Sequence, residues 1–158
     1  MVSEGKPEEA VIYTDGSCHP PSRTGAWVAI IFIETEKVVL SGQVADTTHN
    51  RMELLAVMGA LSYLKANHSG IRKIKIHTDS QYAIGISERK GRLEAAGYCT
   101  KKGSPIQNLD LVLGLLELSA SFAIDWVKIK AHEKKGVEAN HNIEADKLSR
   151  TIVRESIR

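Results

Sequence analysis

Residues 11–18 read VIYTDGSC, a β-rich run that stops at Gly-Ser beside an acid, Asp15. A second run has the same shape. In IRKIKIHTD (71–79), Ile74, Ile76 and Thr78 alternate with Lys73, Lys75 and His77, and Asp79 closes the strand. The segments between them determine how the two strands meet. HPPSRTG (19–25) is loop, with paired prolines and a glycine. AWVAIIFIET (26–35) and KVVLSGQVA (37–45) read as two strands of a hairpin around the polar Glu36-Lys37 region. From Asn50 to Ala66 the period lengthens: Leu54, Val57, Met58, Leu61 and Leu64 form the stripe of an amphipathic helix. Thr47, Thr48 and Asn50 offer capping groups at its start.

Beyond Asp79, SQYAIGISERK begins a helix, residues 85–108 are irregular and glycine-bearing, and Ile106 to Leu118 reads as another helix. SFAIDWVKIKA (121–131) is a strand, and a polar loop runs from His132 to Asn140. A last helix carries the apolar stripe Ala145, Leu148, Ile152 and Val153. The expected fold is α/β: a five-stranded mixed sheet, three antiparallel strands and then two parallel to the first, flanked by helices. Right-handed crossovers bring the fourth strand beside the first, so that Asp15 and Asp79 meet at adjacent strand ends, where open α/β sheets place their sites.

The chain has 158 residues and 17.3 kDa, of which 42% are hydrophobic and 25% charged, the profile of one globular domain. Residues 1–9 read as a disordered leader, 10–155 as one domain, and 156–158 as a tail. No apolar run approaches the ~18 residues of a membrane span. Met1 to Ala10 lacks the apolar centre of a signal peptide, and two cysteines, Cys18 and Cys99, make no disulfide framework. A cytoplasmic protein with no membrane partner is expected. Net charge is only +2, but without residues 1–10, whose Glu4, Glu8 and Glu9 outweigh Lys6, 20 of the 21 bases face 16 of the 19 acids. That balance suits a polyanionic partner.

Four acids stand out. Asp15 and Asp79 end strands, Glu53 lies in the first turn of the long helix beside Leu54, and Asp146 adjoins Ala145 at the start of the last helix. Taken singly, Asp79 reads as a cap for the next helix, and Glu53 or Asp146 as an acid placed favourably near a helix N-terminus. Taken together, they would converge into a cluster that is repulsive without a cation. Oxygen ligands without His or Cys point to Mg²⁺ or Mn²⁺. Four carboxylates on a basic protein suit two-metal phosphodiester cleavage, with the ions ~3.5–4 Å apart.

YTDGSC (13–18), THNRMELLAV (48–57), TDSQY (78–82), WVKIKAH (126–132) and EADKLSR (144–150) resemble, in order and spacing, the motif blocks of ribonuclease HI. The similarity covers nearly all of residues 10–155. It implies an endoribonuclease that cleaves the RNA strand of RNA–DNA hybrids with Mg²⁺, for which Mn²⁺ may substitute, leaving 5′-phosphate and 3′-hydroxyl ends. It makes Asp15, Glu53, Asp79 and Asp146 the metal-binding carboxylates, with Asp15 bridging two ions. His132 becomes the histidine that assists proton transfer or release of the product phosphate, a role suited to a pKa near 6.5. Asn50 and Gln81 match positions that touch the hybrid's minor groove, Thr48 a DNA-phosphate contact, Cys18 the groove lining and Asn142 a polar position beside the last acid. A monomer is implied. His77 and His141 are expected at the surface, and HEKKG (132–136) is not the HExxH of a zinc protease.

The chain departs from the family in two places. Pro21 stands where relatives place an asparagine that contacts substrate, leaving Ser22 or Arg23 to reach a phosphate instead. The expected basic protrusion, residues 85–108, keeps Arg89, Lys90, Arg92, Lys101 and Lys102 but sets Glu88 and Glu94 against them and has no tryptophan. Each lost phosphate contact lowers affinity and flattens its salt dependence. The alternatives are a ribonuclease H domain of a retroelement reverse transcriptase, a catalytically silent nucleic-acid-binding module, and a transposase, integrase or junction resolvase. The intact acids and His132 argue against a silent module, and the HNRMELLA and TDSQY blocks against the last group.

Overall fold

The computed structural model describes residues 9–130 and 137–157. The strands are β1 (Glu9–His19), β2 (Thr24–Ile33), β3 (Glu36–Val44), β4 (Lys73–Thr78) and β5 (Ala123–Lys128). The helices are α1 (His49–Asn67), α2 (Gln81–Glu88), α3 (Lys90–Ala95), α4 (Leu109–Ser119) and α5 (Val137–Ser156). The strands form one sheet in the order β3-β2-β1-β4-β5. Hairpins join the first three antiparallel, while the crossovers through α1 and through α2–α4 make β4 and β5 parallel to β1. This is the expected α/β mixed sheet.

Alternation along the strands divides the core between the two faces of the sheet. Ile12, Ala29, Ile31, Ile74 and Ile76 meet the α1 stripe, with Leu111, Val112 and Leu115 of α4 behind it. Leu54, Leu61 and Leu64 are fully buried here, each contributing roughly 1.5–3 kcal/mol. Tyr13, Val28 and Ile30 on the opposite face form a smaller core with Ile129 and Ala145, beneath α5.

Several local expectations need correction. β1 takes in Glu9, assigned above to the leader, because its backbone pairs with Lys73. The strand also runs past Asp15 to His19, since β2 supplies an antiparallel partner along that whole length. Residues 85–108 include the end of α2, the short α3 and a bridge between Cys99 and Pro105, anchored on the core by half-buried Leu93 and Tyr98. The loop expected up to Asn140 is cut short, because α5 already begins at Val137.

His77 is not a surface histidine, and His141 is only partly exposed. His77 is 2% exposed, and its ring stacks on Tyr13 with centroids 4.4 Å apart. His141 lies against Tyr13 and Phe32, at 5.0 and 4.5 Å. The polar-looking alternation in β4 concealed this, because α5 and Tyr13 put an aromatic layer over that face. α5 is further tied to the start of β3 by Lys37 Nζ donating to Glu144 Oε2 at 2.8 Å.

Candidate active site

The parallel ladder between β1 and β4 ends at the pair Tyr13–His77, while β1 continues beside β2 alone. The sheet therefore opens on one side of β1 just where Asp15 falls, and side chains from both faces can meet there.

Three carboxylates do so. One oxygen from each of Asp15, Glu53 and Asp79 lies within 4.8 Å of the other two. Asp15 is 4% exposed and Glu53 1%. Asp79 leaves β4 in a turn fastened by its neighbours: the Ser80 amide donates to Thr78 Oγ1 at 3.0 Å, and Ser80 Oγ accepts from the Ala83 amide at 3.1 Å. Ser80, not Asp79, is thus the N-cap of α2, and the Asp79 carboxylate is left for the cluster.

Glu53 is the fifth residue of α1, past the first turn where an acid would serve the helix end. It comes close to Asp15 because Gly16 lets the helix lie directly on β1. A Cβ at Gly16 would fall 2.7 Å from the Met52 carbonyl carbon and 2.8 Å from the Glu53 nitrogen.

Asp146 is the tenth residue of α5, not near its start, so it too has no end-of-helix role. It lines a cleft of about 500 Å³ with Asp15, Asp79, Cys18, His19, His49, Arg150 and Arg154. Its Oδ1 accepts from Arg150 Nε at 3.0 Å.

Electrostatics follow from burial. Removal from water, then the charges of Glu53, Asp79 and Asp146 and a hydrogen bond to Asp146, push the Asp15 carboxyl up to about 9. Burial likewise raises Glu53, although His49, with Nε2 3.0 Å from Glu53 Oε1, pulls the other way. The same contact raises His49. Burial also pushes the Cys18 thiol up. Ionised together, these acids need a cation among them, and their all-oxygen donor set fits a hard divalent ion.

The other expected residues divide. Cys18 lines the cleft and donates to the Thr47 carbonyl at 3.5 Å. Thr48 is the N-cap of α1, its Oγ1 accepting from the Arg51 amide at 3.3 Å. Asn50 and Gln81 are exposed, and Gln81 Oε1 accepts from Lys128 Nζ at 3.3 Å. Asn142 is buried and is not among the cleft's lining residues. Ser22 and Arg23 are engaged by His19 and Asp46. His132 lies outside the described residues.

Sequence reading missed His49, Arg150 and Ser149. Helical spacing was the available signal: His49 precedes Glu53 by four residues, and Arg150 and Ser149 follow Asp146 by four and three.

Strand order and site together define a ribonuclease H-like protein. The crystal structure of LC9-RNase H1, described as a type 1 RNase H with the type 2 active-site motif, matches this fold with a TM-score of 0.79. That match covers 95% of this chain and 74% of the other at 22% identity, and it speaks for the fold alone. The chain belongs to the RNase H family, whose model matches residues 7–154. It is 33% identical over 147 residues to the ribonuclease H of Wolbachia pipientis wMel, covering 92% of this chain and 96% of that one. It is 35% identical over 146 residues to that of Ehrlichia chaffeensis, covering 92% and 94%. With that of Caulobacter sp. strain K31 the identity is 36% over 141 residues, covering 89% and 86%. Among the described residues no helix is long and apolar enough to cross a membrane.

Proposed function

We propose that this protein is an endoribonuclease that hydrolyses the RNA strand of RNA–DNA hybrids, leaving 5′-phosphate and 3′-hydroxyl ends. The observation that carries the reading is the convergence of Asp15, Glu53 and Asp79 at the opening in the sheet, with Asp146 on the same cleft. These four carboxylates would hold two divalent cations, Mg²⁺ or in its place Mn²⁺. Bound there, the ions supply an activated water and neutralise charge growing on the leaving 3′-oxygen. Asp15, whose carboxyl feels the charges of Glu53, Asp79 and Asp146, would be the ligand shared between them.

The chain's own residues do the rest. Exposed Asn50 and Gln81 read the minor groove, where amides can recognise base edges and 2′-hydroxyls without demanding sequence. Cys18 lines the groove, Thr48 faces a phosphate of the DNA strand, and Asn142 is the polar position beside Asp146 that faces the substrate. His132 moves the proton or the product phosphate. The protein acts as a monomer in the cytoplasm through a single domain that takes in Glu9 of β1 and runs to Ser156 of α5. Its protrusion carries exposed Arg92, Lys101 and Lys102 for the hybrid's backbone.

Strand-resolved cleavage of a labelled RNA–DNA hybrid with Mg²⁺, beside RNA–RNA and DNA–DNA duplexes, tests this. Cutting of only the hybrid's RNA, lost with EDTA and in Asp15→Asn, is the expected result. Hybrid binding without cutting would replace it with a silent binding module, and cutting of duplex DNA with a transposase or resolvase.

A further inference from the structure

Ser149 lies on α5 one turn beyond Asp146, at the centre of a buried stripe formed by Asn142, Ala145, Ser149 and Val153. Two of those four positions are polar, where an amphipathic helix puts apolar side chains. The Ser149 side chain is 0% exposed, and a buried hydroxyl is retained only where it has partners. It has three. Its Oγ is 3.0 Å from the Asp146 carbonyl, 3.1 Å from Ser17 Oγ and 3.5 Å from Asp15 Oδ2.

Strand alternation explains why these groups meet. Residues 13, 15 and 17 of β1 share the face on which α5 lies, so Tyr13 packs in the apolar core while Asp15 and Ser17 reach the same helix further along. Ser149 is therefore the hydroxyl through which the strand carrying one proposed metal ligand is joined to the helix carrying another.

A hydroxyl has one proton to give, and here two acceptors compete for it, the Asp146 carbonyl and the Asp15 carboxylate. Ser17 can complete the set from either side, as donor to Ser149 or as acceptor. An ionised carboxylate is the stronger acceptor.

We propose that Ser149, backed by Ser17, is a positioning residue of the metal site: it orients the Asp15 carboxylate and holds α5 in the register that keeps Asp146 facing it. The inference rests on the metal-dependent reading of the site. Loss of the hydroxyl removes the link between the Asp15 carboxylate and the Asp146 turn, while Lys37–Glu144 and the aromatic contacts of His141 keep α5 on the sheet.

The test is a thermal-melt titration with MgCl₂ of the wild type, Ser149→Ala and Ser17→Ala, paired with steady-state kinetics on hybrid. For Ser149→Ala the Mg²⁺ concentration giving half the maximal stabilisation should rise about tenfold, the scale of one hydrogen bond to a charged group. Its kcat should fall while KM for hybrid stays put, because the amides that meet the hybrid lie on other elements. Ser17→Ala should move the same midpoint in the same direction by less. A purely structural serine would lower Tm equally with and without Mg²⁺ and leave the midpoint where it was, and that result overturns the proposal. No Mg²⁺-dependent shift in the wild type would overturn the metal reading itself, and this inference with it.

Discussion

Arg51 on α1 grips Asp110 in the first turn of α4 with both arms of its guanidinium, Nη1 3.0 Å from Oδ1 and Nη2 2.8 Å from Oδ2. Nη1 also donates to Asn108 Oδ1 at 3.3 Å, and Asn108 Nδ2 in turn donates to the Tyr82 hydroxyl at 3.0 Å. The helix that carries Glu53 is thereby fastened to the segment that returns from the protrusion. The fork geometry requires arginine, since lysine offers a single point charge.

The Arg51 guanidinium holds the Asp110 carboxyl down at about 2. A carboxyl lowered in the folded state contributes stability above its ordinary value of 3.8 and loses it as pH falls from there toward 2. Asp110 is largely exposed, so solvent screening limits the effect to about 0.5 kcal/mol. Urea denaturation of Asp110→Asn should show that deficit at pH 7 and none at pH 2.

Asp15 has the opposite sign. Its folded carboxyl sits near 9 against an ordinary 3.8, so the folded state binds the proton more tightly and the metal-free protein loses stability as pH rises through that interval. Asp15→Asn should therefore be more stable than the wild type in EDTA at pH 8, on the order of 2 kcal/mol. The variant should lose the stabilisation that Mg²⁺ gives the wild type. A variant less stable in EDTA would contradict the account of the cluster.

Gly16→Ala should cost roughly 1–3 kcal/mol by overpacking, because the atoms in the way are the backbone of Met52 and Glu53 and cannot rotate aside. It should also weaken Mg²⁺ binding by pushing Glu53 away from Asp15. Gly70→Ala, with no atom within 4 Å of the new Cβ, is the control and should leave the Mg²⁺ midpoint unchanged. Chemical denaturation and the Mg²⁺ melt titration check both statements.

Arg150 occupies one oxygen of Asp146 from an exposed position. A cation must share or displace that contact, so Arg150→Gln should bind Mg²⁺ more tightly, up to about fivefold, the limit for an exposed ion pair. Isothermal titration with MgCl₂ measures it. Unchanged or weaker binding would mean that Arg150 aids the ligand instead of competing for it.

Much of this protein was legible before its structure. The elements follow from local patterns: β-rich runs in β1 and β2, polar–apolar alternation in β4, and a 3.6-residue stripe in α1. Chirality of the crossovers then placed β4 beside β1. The four acids stood out because Asp15 and Asp79 end strands while Glu53 and Asp146 adjoin apolar helix positions, and Asp15, Glu53 and Asp79 do converge.

What could not be read depended on groups distant in sequence. Whether Asp79 caps α2 or joins the cluster turned on Ser80 taking the cap. His77 and Lys75 look alike in an alternating strand, yet only His77 lies under Tyr13. Ser149 becomes a partner of Asp15 only once α5 has docked on β1, 134 residues away in the chain. Periodicity and residue chemistry are properties of neighbours along the chain, so the sequence by itself determined the elements, their order and the acids available for a site. The opening beside Asp15, the close approach at Gly16 and the hydroxyls around the carboxylates arise from packing between distant segments, and only the tertiary structure decided them.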